Sequence, residues 1–293
     1  MINISSVLFK NKCVLVRVDF NVPLGSLSNV LDDSRILAAI PTINRVISSG
    51  GKAVLVSHLG RPKNSLNKNL SLLPVANRLS KLIGYPVSFC DDCIGEKRSL
   101  AIEKLNFGGI LVLENLRFYK EELTGDLDFA KKLASNTDIY INDAFGVSHR
   151  NHASVGVVSQ LFKEKYLGFL IEKEISMLDN VLSRPKNGFT AVIGGAKISS
   201  KINVLTSLFN KVDVVLIGGG MSYTFIKSLG GNVGSSLVEE NCLNVAKDLI
   251  VLAKKKNVSL VLPVDSVNGS SFKNTCSVSC CDISKIPNSF IGM

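Results

Sequence analysis

The chain has 293 residues, 46% of them hydrophobic, a net charge of +10 and 6% aromatics. The length points to about two domains, and the apolar content suffices for two buried cores. No apolar run approaches the roughly 18 residues of a membrane span, the first residues carry no basic segment followed by a long apolar one, and the seven cysteines are odd in number. These features argue against a membrane protein and a secreted disulfide scaffold, and a cytoplasmic chain with reduced thiols is expected.

The positive charge invites a nucleic-acid reading, but no basic-aromatic module is visible. The arginines are distributed unevenly: Arg17, Arg35, Arg45, Arg61, Arg78, Arg98, Arg117 and Arg150 fall in the first 150 residues, and only Arg184 lies later. All three histidines, His58, His149 and His152, share that half. A planar guanidinium suits bidentate binding of phosphate or carboxylate, so a small anion is expected there. Cys90-x-x-Cys93 and the group Cys276, Cys280 and Cys281 could be drawn as zinc ligands, yet neither has a neighbouring histidine and no second CxxC completes the pattern.

In chain order the pattern is β-α repeated. Residues 13–18 form an apolar strand ending in Asp19, Phe20 and Asn21, with a helix from about Ser34. Residues 53–56 form the next, ending in His58, Leu59, Gly60 and Arg61. Ser71 opens a helix that tolerates Pro74 in its first turn. Residues 87–90 and 110–113 read as strands, the second running into Arg117. Residues 126–134 read as a helix, and 138–141 as a strand followed by Asp143 and, further on, Arg150. Apolar strands alternating with amphipathic helices imply a parallel sheet covered on both faces, with ligands bound beyond the carboxyl ends of its strands.

A long amphipathic helix from about 167 to 182 is broken by Arg184, Pro185 and Gly188, which marks a domain boundary. A second βα series follows. Residues 190–193 read as a buried strand, Gly194 and Gly195 as a turn, and Lys197 and Lys201 as neighbours on the first turn of a helix, an arrangement suited to a nucleotide phosphate. A strand at 212–217 ends in Gly218, Gly219 and Gly220. Helices near 222–229 and 241–256 precede a strand at 259–262.

Residues 16–23 (VRVDFNVP), 57–62 (SHLGRP), 113–122 (LENLRFYKEE), 141–154 (INDAFGVSHRNHAS), 194–201 (GGAKISSK), 217–225 (IGGGMSYTF) and 262–265 (LPVD) together resemble the phosphoglycerate kinase family, in order and over essentially the whole chain. The resemblance implies two Rossmann-like α/β domains joined by a long linker helix: residues 1–166 binding 3-phosphoglycerate, 167–187 linking, and 188–293 binding nucleotide. The implied reaction moves a phosphoryl group reversibly between 1,3-bisphosphoglycerate and MgADP, giving 3-phosphoglycerate and MgATP, in a cytoplasmic monomer that closes about its linker.

Carried across motif by motif, the resemblance places Asp19, Phe20 and Asn21 at the glycerate, and His58, Leu59, Gly60, Arg61, Arg117 and Arg150 around the 3-phosphate. Arg35 would face the transferring phosphoryl. Gly194, Gly195, Ala196, Lys197 and Lys201 would contact nucleotide phosphates, and Gly218, Gly219 and Gly220 would border the adenine. Arg35, Lys197 and Lys201 are the implied catalytic set. The match stops before the family's later glycine-rich loop with its Mg-orienting aspartate, so the second domain is expected to be incomplete, with Mg²⁺ arriving on ADP or ATP and no metal ligands in this chain. An inactive, anion-binding fragment is the alternative. A nucleotide-dependent dehydrogenase is disfavoured because no GxGxxG follows a strand.

Overall fold

In the computed structural model, residues 4–26, 29–62, 68–183, 188–273 and 277–293 are described. Arg184, in the expected linker, and Cys276, in the candidate zinc group, lie outside them. The chain forms two compact units, Met1–Asn180 and Val181–Met293.

The first unit is built on six parallel strands: β1 (Cys13–Val18), β2 (Lys52–Val56), β3 (Val87–Cys90), β4 (Ile110–Leu113), β5 (Ile139–Asp143) and β6 (Glu164–Leu167), in the order β3-β4-β2-β1-β5-β6. Its helices are α1 (Ser34–Ser48), α2 (Leu73–Ile83), α3 (Gly95–Lys104), α4 (Lys120–Thr124), α5 (Leu127–Ala134) and all but the last turn of α6 (Phe169–Ser183). Alternation along the strands feeds two cores. Val14, Val16, Leu55 and Ile141 meet Ile36 and Ile43 of α1 and Leu79 of α2, while Leu15, Val54, Leu111 and Tyr140 meet Ile102 of α3 and Phe129 and Leu133 of α5. With helices on both faces, every residue of β1 is buried, which explains why it reads as apolar at every position but Arg17. From β1 the chain crosses to β2 on one side, and from β5 to β6 on the other. The crevice between the carboxyl ends of β1 and β5 is therefore a topological switch point.

In the second unit β7 (Thr190–Ile193), α7 (Ile202–Leu208), β8 (Val214–Ile217), α8 (Met221–Ser228), β9 (Asn232–Val233), α9 (Leu243–Lys255) and β10 (Ser259–Val261) are followed by β11 (Asp265–Gly269), β12 (Val278–Asp282), β13 (Lys285–Ile286) and β14 (Ile291–Gly292). A parallel sheet β10-β8-β7 packs Val215 and Ile217 against Leu205, Phe225, Ala246 and Leu249. Both crossovers step the same way across this sheet, and right-handed connections then place all their helices on one face. The other face shows Val192, Leu216 and Val261 in register, Val192 being 74% exposed. The expectation of a buried strand at 190–193 is corrected accordingly: β7 is an edge strand with one covered face. The antiparallel sheet β12-β11-β14 was not foreseen from sequence.

Candidate functional site

The carboxyl ends of β1, β2, β4 and β5 deliver polar side chains into one cavity of about 380 Å³. Asp19 and Asn21 follow β1, His58, Gly60 and Arg61 follow β2, Arg117 follows β4, and Gly146, Val147 and Arg150 follow β5. Arg35 enters from the first turn of α1. A neighbouring cavity of about 320 Å³ shares Asp19, Arg35 and Gly146 and reaches Glu174 of α6, which sequence did not single out.

Buried polar groups shape the rim. The Asn115 amide donates to the carbonyls of Leu59 and Leu70 at 2.8 and 2.9 Å, and its oxygen accepts the Leu59 and Arg117 amides at 3.1 Å. Asn21 Oδ1 accepts from Gly60 N at 2.8 Å, tying the ends of β1 and β2 together. Gly60 has φ +61°, and a Cβ there would stand 2.8 Å from Leu70 Cδ2. Phe20 and Leu59 serve through their backbones, since both side chains lie in the core.

The arginine-rich half divides in a way composition could not show. Arg45 donates to the carbonyls of Ile4 and Val7, Arg78 pairs with Asp33, Arg98 is fully buried against Leu133 O and Ser135, and Arg17 is buried beneath the cleft. The remaining four, Arg35, Arg61, Arg117 and Arg150, line the cavity. Arg35 NH1 donates to Asp19 Oδ2. Arg117 NH1 donates to Gly60 O at 2.5 Å, and burial followed by the guanidiniums of Arg150, Arg17 and Arg61 holds Arg117 below the ordinary arginine value. Clustered cations of this kind are relieved by a bound anion. His58 is not one of the charges: burial, then Arg17, Arg117, Arg35 and His152, push it down to about 2, so the ring is neutral.

In the second unit, the turns after β7 and β8 touch. Gly219, at φ +69°, lies so near that an added Cβ would meet Gly195 N and O at 3.0 and 3.1 Å, and Met221 N donates to Gly195 O at 2.8 Å. Gly194, Ala196, Gly218 and Gly220 complete the paired turns. Lys201 folds toward Gly195, with Cε 3.9 Å from the position its Cβ would take, and Lys197 is exposed. The expected helical pairing of the lysines is corrected: α7 starts at Ile202, Lys201 is its N-cap residue and Lys197 lies in irregular chain ahead of the turn at 199–201. Ser200 Oγ donates to Lys197 O and Ser199 binds both Glu239 oxygens, local bonds that compete with helix formation over those residues.

A cluster of arginines at the switch point of one parallel sheet, and paired glycine turns at the strand ends of another, are arrangements suited to phosphorylated ligands. The family model described as phosphoglycerate kinase matches residues 4–293. The phosphoglycerate kinase of Gloeothece citriformis is 46% identical over 291 residues, covering 99% of this chain and 73% of that protein. Phosphoglycerate kinase 2, chloroplastic, of Arabidopsis thaliana is 48% identical over 291 residues, 61% of its length. Among solved structures, phosphoglycerate kinase from Coxiella burnetii matches 98% of this chain and 72% of its own with a TM-score of 0.79 at 33% identity. The chain belongs to the phosphoglycerate kinase family, which sets aside the dehydrogenase alternative and indicates a kinase.

Proposed function

We propose that the chain transfers a phosphoryl group reversibly between the acyl phosphate of 1,3-bisphosphoglycerate and MgADP. The observation that carries this reading is the convergence of Arg35, Arg61, Arg117 and Arg150 on one cavity beside Asp19 and Asn21. Arg61, Arg117 and Arg150 grip the 3-phosphate, and Asp19 and Asn21 orient the glycerate hydroxyl and carboxylate. Arg35, held at the cavity mouth by Asp19, faces the phosphoryl in flight. The paired glycine turns of the second unit receive the nucleotide, with Lys197 and Lys201 on its phosphates and the Gly218–Gly220 turn beside the adenine.

The acceptor carboxylate needs no general base, so the protein's task is positioning and neutralising charge on the equatorial oxygens. Among the described residues no three His, Cys, Asp or Glu side chains group to hold a metal ion, and Mg²⁺ enters this proposal as part of the nucleotide substrate. Residues 1–166 form the acceptor domain, 167–187 the linker and 188–293 the nucleotide domain of a cytoplasmic monomer. No helix of the described residues is long and apolar enough to cross a membrane. A coupled assay of MgATP turnover with 3-phosphoglycerate tests the reading: turnover that Arg35→Ala and Lys201→Ala each abolish supports it, and binding of 3-phosphoglycerate without turnover supports an anion-binding chain instead.

A further inference from the structure

Beneath the cleft lies a buried line of polar groups that the reaction above does not use. Arg17, in the otherwise apolar β1, is 1% exposed. Its NH1 donates to Val18 O, its Nε to Ser154 Oγ at 3.0 Å, and its NH2 meets His58 Nδ1 at 3.1 Å. Ser154 Oγ donates in turn to Glu122 Oε1 at 2.6 Å, and Ser154 N to Oε2 at 2.9 Å. Glu122 is also 1% exposed.

The donors fix every role in this line. A guanidinium only donates, so His58 Nδ1 presents a lone pair to Arg17. Ser154 Oγ accepts from Arg17 and its one hydrogen goes to Glu122, which accepts on both oxygens; burial pushes the Glu122 carboxyl up, opposed by Arg17 and the two Ser154 bonds. We propose that Glu122, Ser154 and Arg17 are positioning residues that lock His58 as the neutral tautomer protonated on Nε2, making it a directed hydrogen-bond donor to an anion in the cleft rather than one of the cleft's positive charges.

The surroundings favour the same state. Asp19 Oδ1 is 3.9 Å from His58 Nδ1, too far to accept a hydrogen from it, and Arg17 already occupies that nitrogen. Facing the ring are Arg17 from β1, Arg35 from α1, Arg117 from beyond β4 and His152 from beyond β5, against the single carboxylate of Asp19. A neutral donor keeps its function as pH rises through neutrality, whereas an imidazolium would lose its charge. The donor half of this inference rests on the anion cleft proposed above; the tautomer does not.

The test is long-range ¹H–¹⁵N correlation on the full chain labelled at histidine, with His58 assigned by its loss in His58→Gln. The expected result is a single Nε2–H tautomer, unchanged between about pH 5.5 and 8.5. An Nδ1–H tautomer, or an imidazolium forming below neutrality, overturns the inference. Ser154→Ala, shown folded by circular dichroism, is expected to yield mixed tautomers, and a single Nε2–H signal there would remove Ser154 and Glu122 from the device. Sulfate, whose charge does not change over this range, probes the donor half. Its dissociation constants for the native chain and His58→Gln should run parallel with pH, within about twofold, while His58→Ala binds about tenfold more weakly. Native affinity that tightens at acid pH while the Gln variant stays flat contradicts a neutral donor. The expected tautomer in a chain that does not bind sulfate overturns the donor half and the anion cleft together, and leaves the tautomer standing.

Discussion

Asp143 closes β5 and caps the next helix, and its environment sets up a measurable pH effect. Oδ1 accepts from Leu170 N at 2.9 Å and Ile171 N at 3.4 Å, whereas Oδ2 is buried with no partner among the described residues. Burial outweighs the hydrogen bonds from Thr42, Leu170 and Ile171 and pushes the carboxyl from its ordinary 3.8 up to about 6. The native state therefore binds this proton more tightly than the unfolded chain, and the stability it contributes is present at low pH and lost as pH rises from about 4 through 6. At about 1.4 kcal/mol per tenfold change, the full effect approaches 3 kcal/mol, of which about 2.5 kcal/mol falls between pH 4 and 8. Asp143→Asn keeps a capping oxygen and removes the charge. Its stability relative to the native chain should improve by about that amount from pH 4 to pH 8. With no tryptophan in the sequence, urea unfolding followed by far-ultraviolet circular dichroism is the suitable assay. A difference between variant and native that is the same at both pH values would refute the reasoning.

Gly168→Ala attacks the same cap sterically, because its Cβ would lie 2.2 Å from Asp143 Oδ1; a loss of about 2–4 kcal/mol in the same unfolding assay is expected. Gly219→Ala should drive the two glycine turns apart and weaken MgADP binding at least about tenfold by calorimetry, with 3-phosphoglycerate binding unchanged. The double substitution Val192→Thr and Val261→Thr, on the uncovered face of β7 and β10, should lower binding of an apolar dye with a stability change under about 1 kcal/mol.

Most strands of the first unit were legible because burial on both faces leaves apolar runs, unbroken in β4 and interrupted only by Arg17 in β1. α3 was not read from sequence, since its buried residues are only Arg98 and Ile102 and it offers little apolar stripe. β6, Glu164–Leu167, is a short edge strand with two exposed polar residues and gave no signal. The ends of four strands pointed to the cleft, but not which arginines reach it. Arg17 and Arg98 are equally basic in the sequence and only packing buries them. Arg17 did carry one readable sign, a charge inside an apolar strand, whereas Glu122 and Ser154 acquire their role through contacts 32 residues apart. The lysine turn was placed on a helix from its spacing, and side-chain bonds from Ser199 and Ser200 delay the helix past it.

The central claim is that the four-arginine cleft is a 3-phosphoglycerate site. Calorimetric titration of the full chain with 3-phosphoglycerate, beside Arg61→Ala and Arg117→Ala, tests it most directly. Saturable binding to the native chain is expected, weakened about tenfold or more by each substitution. Native affinity retained in both folded variants, or no binding to a folded native chain, would contradict it.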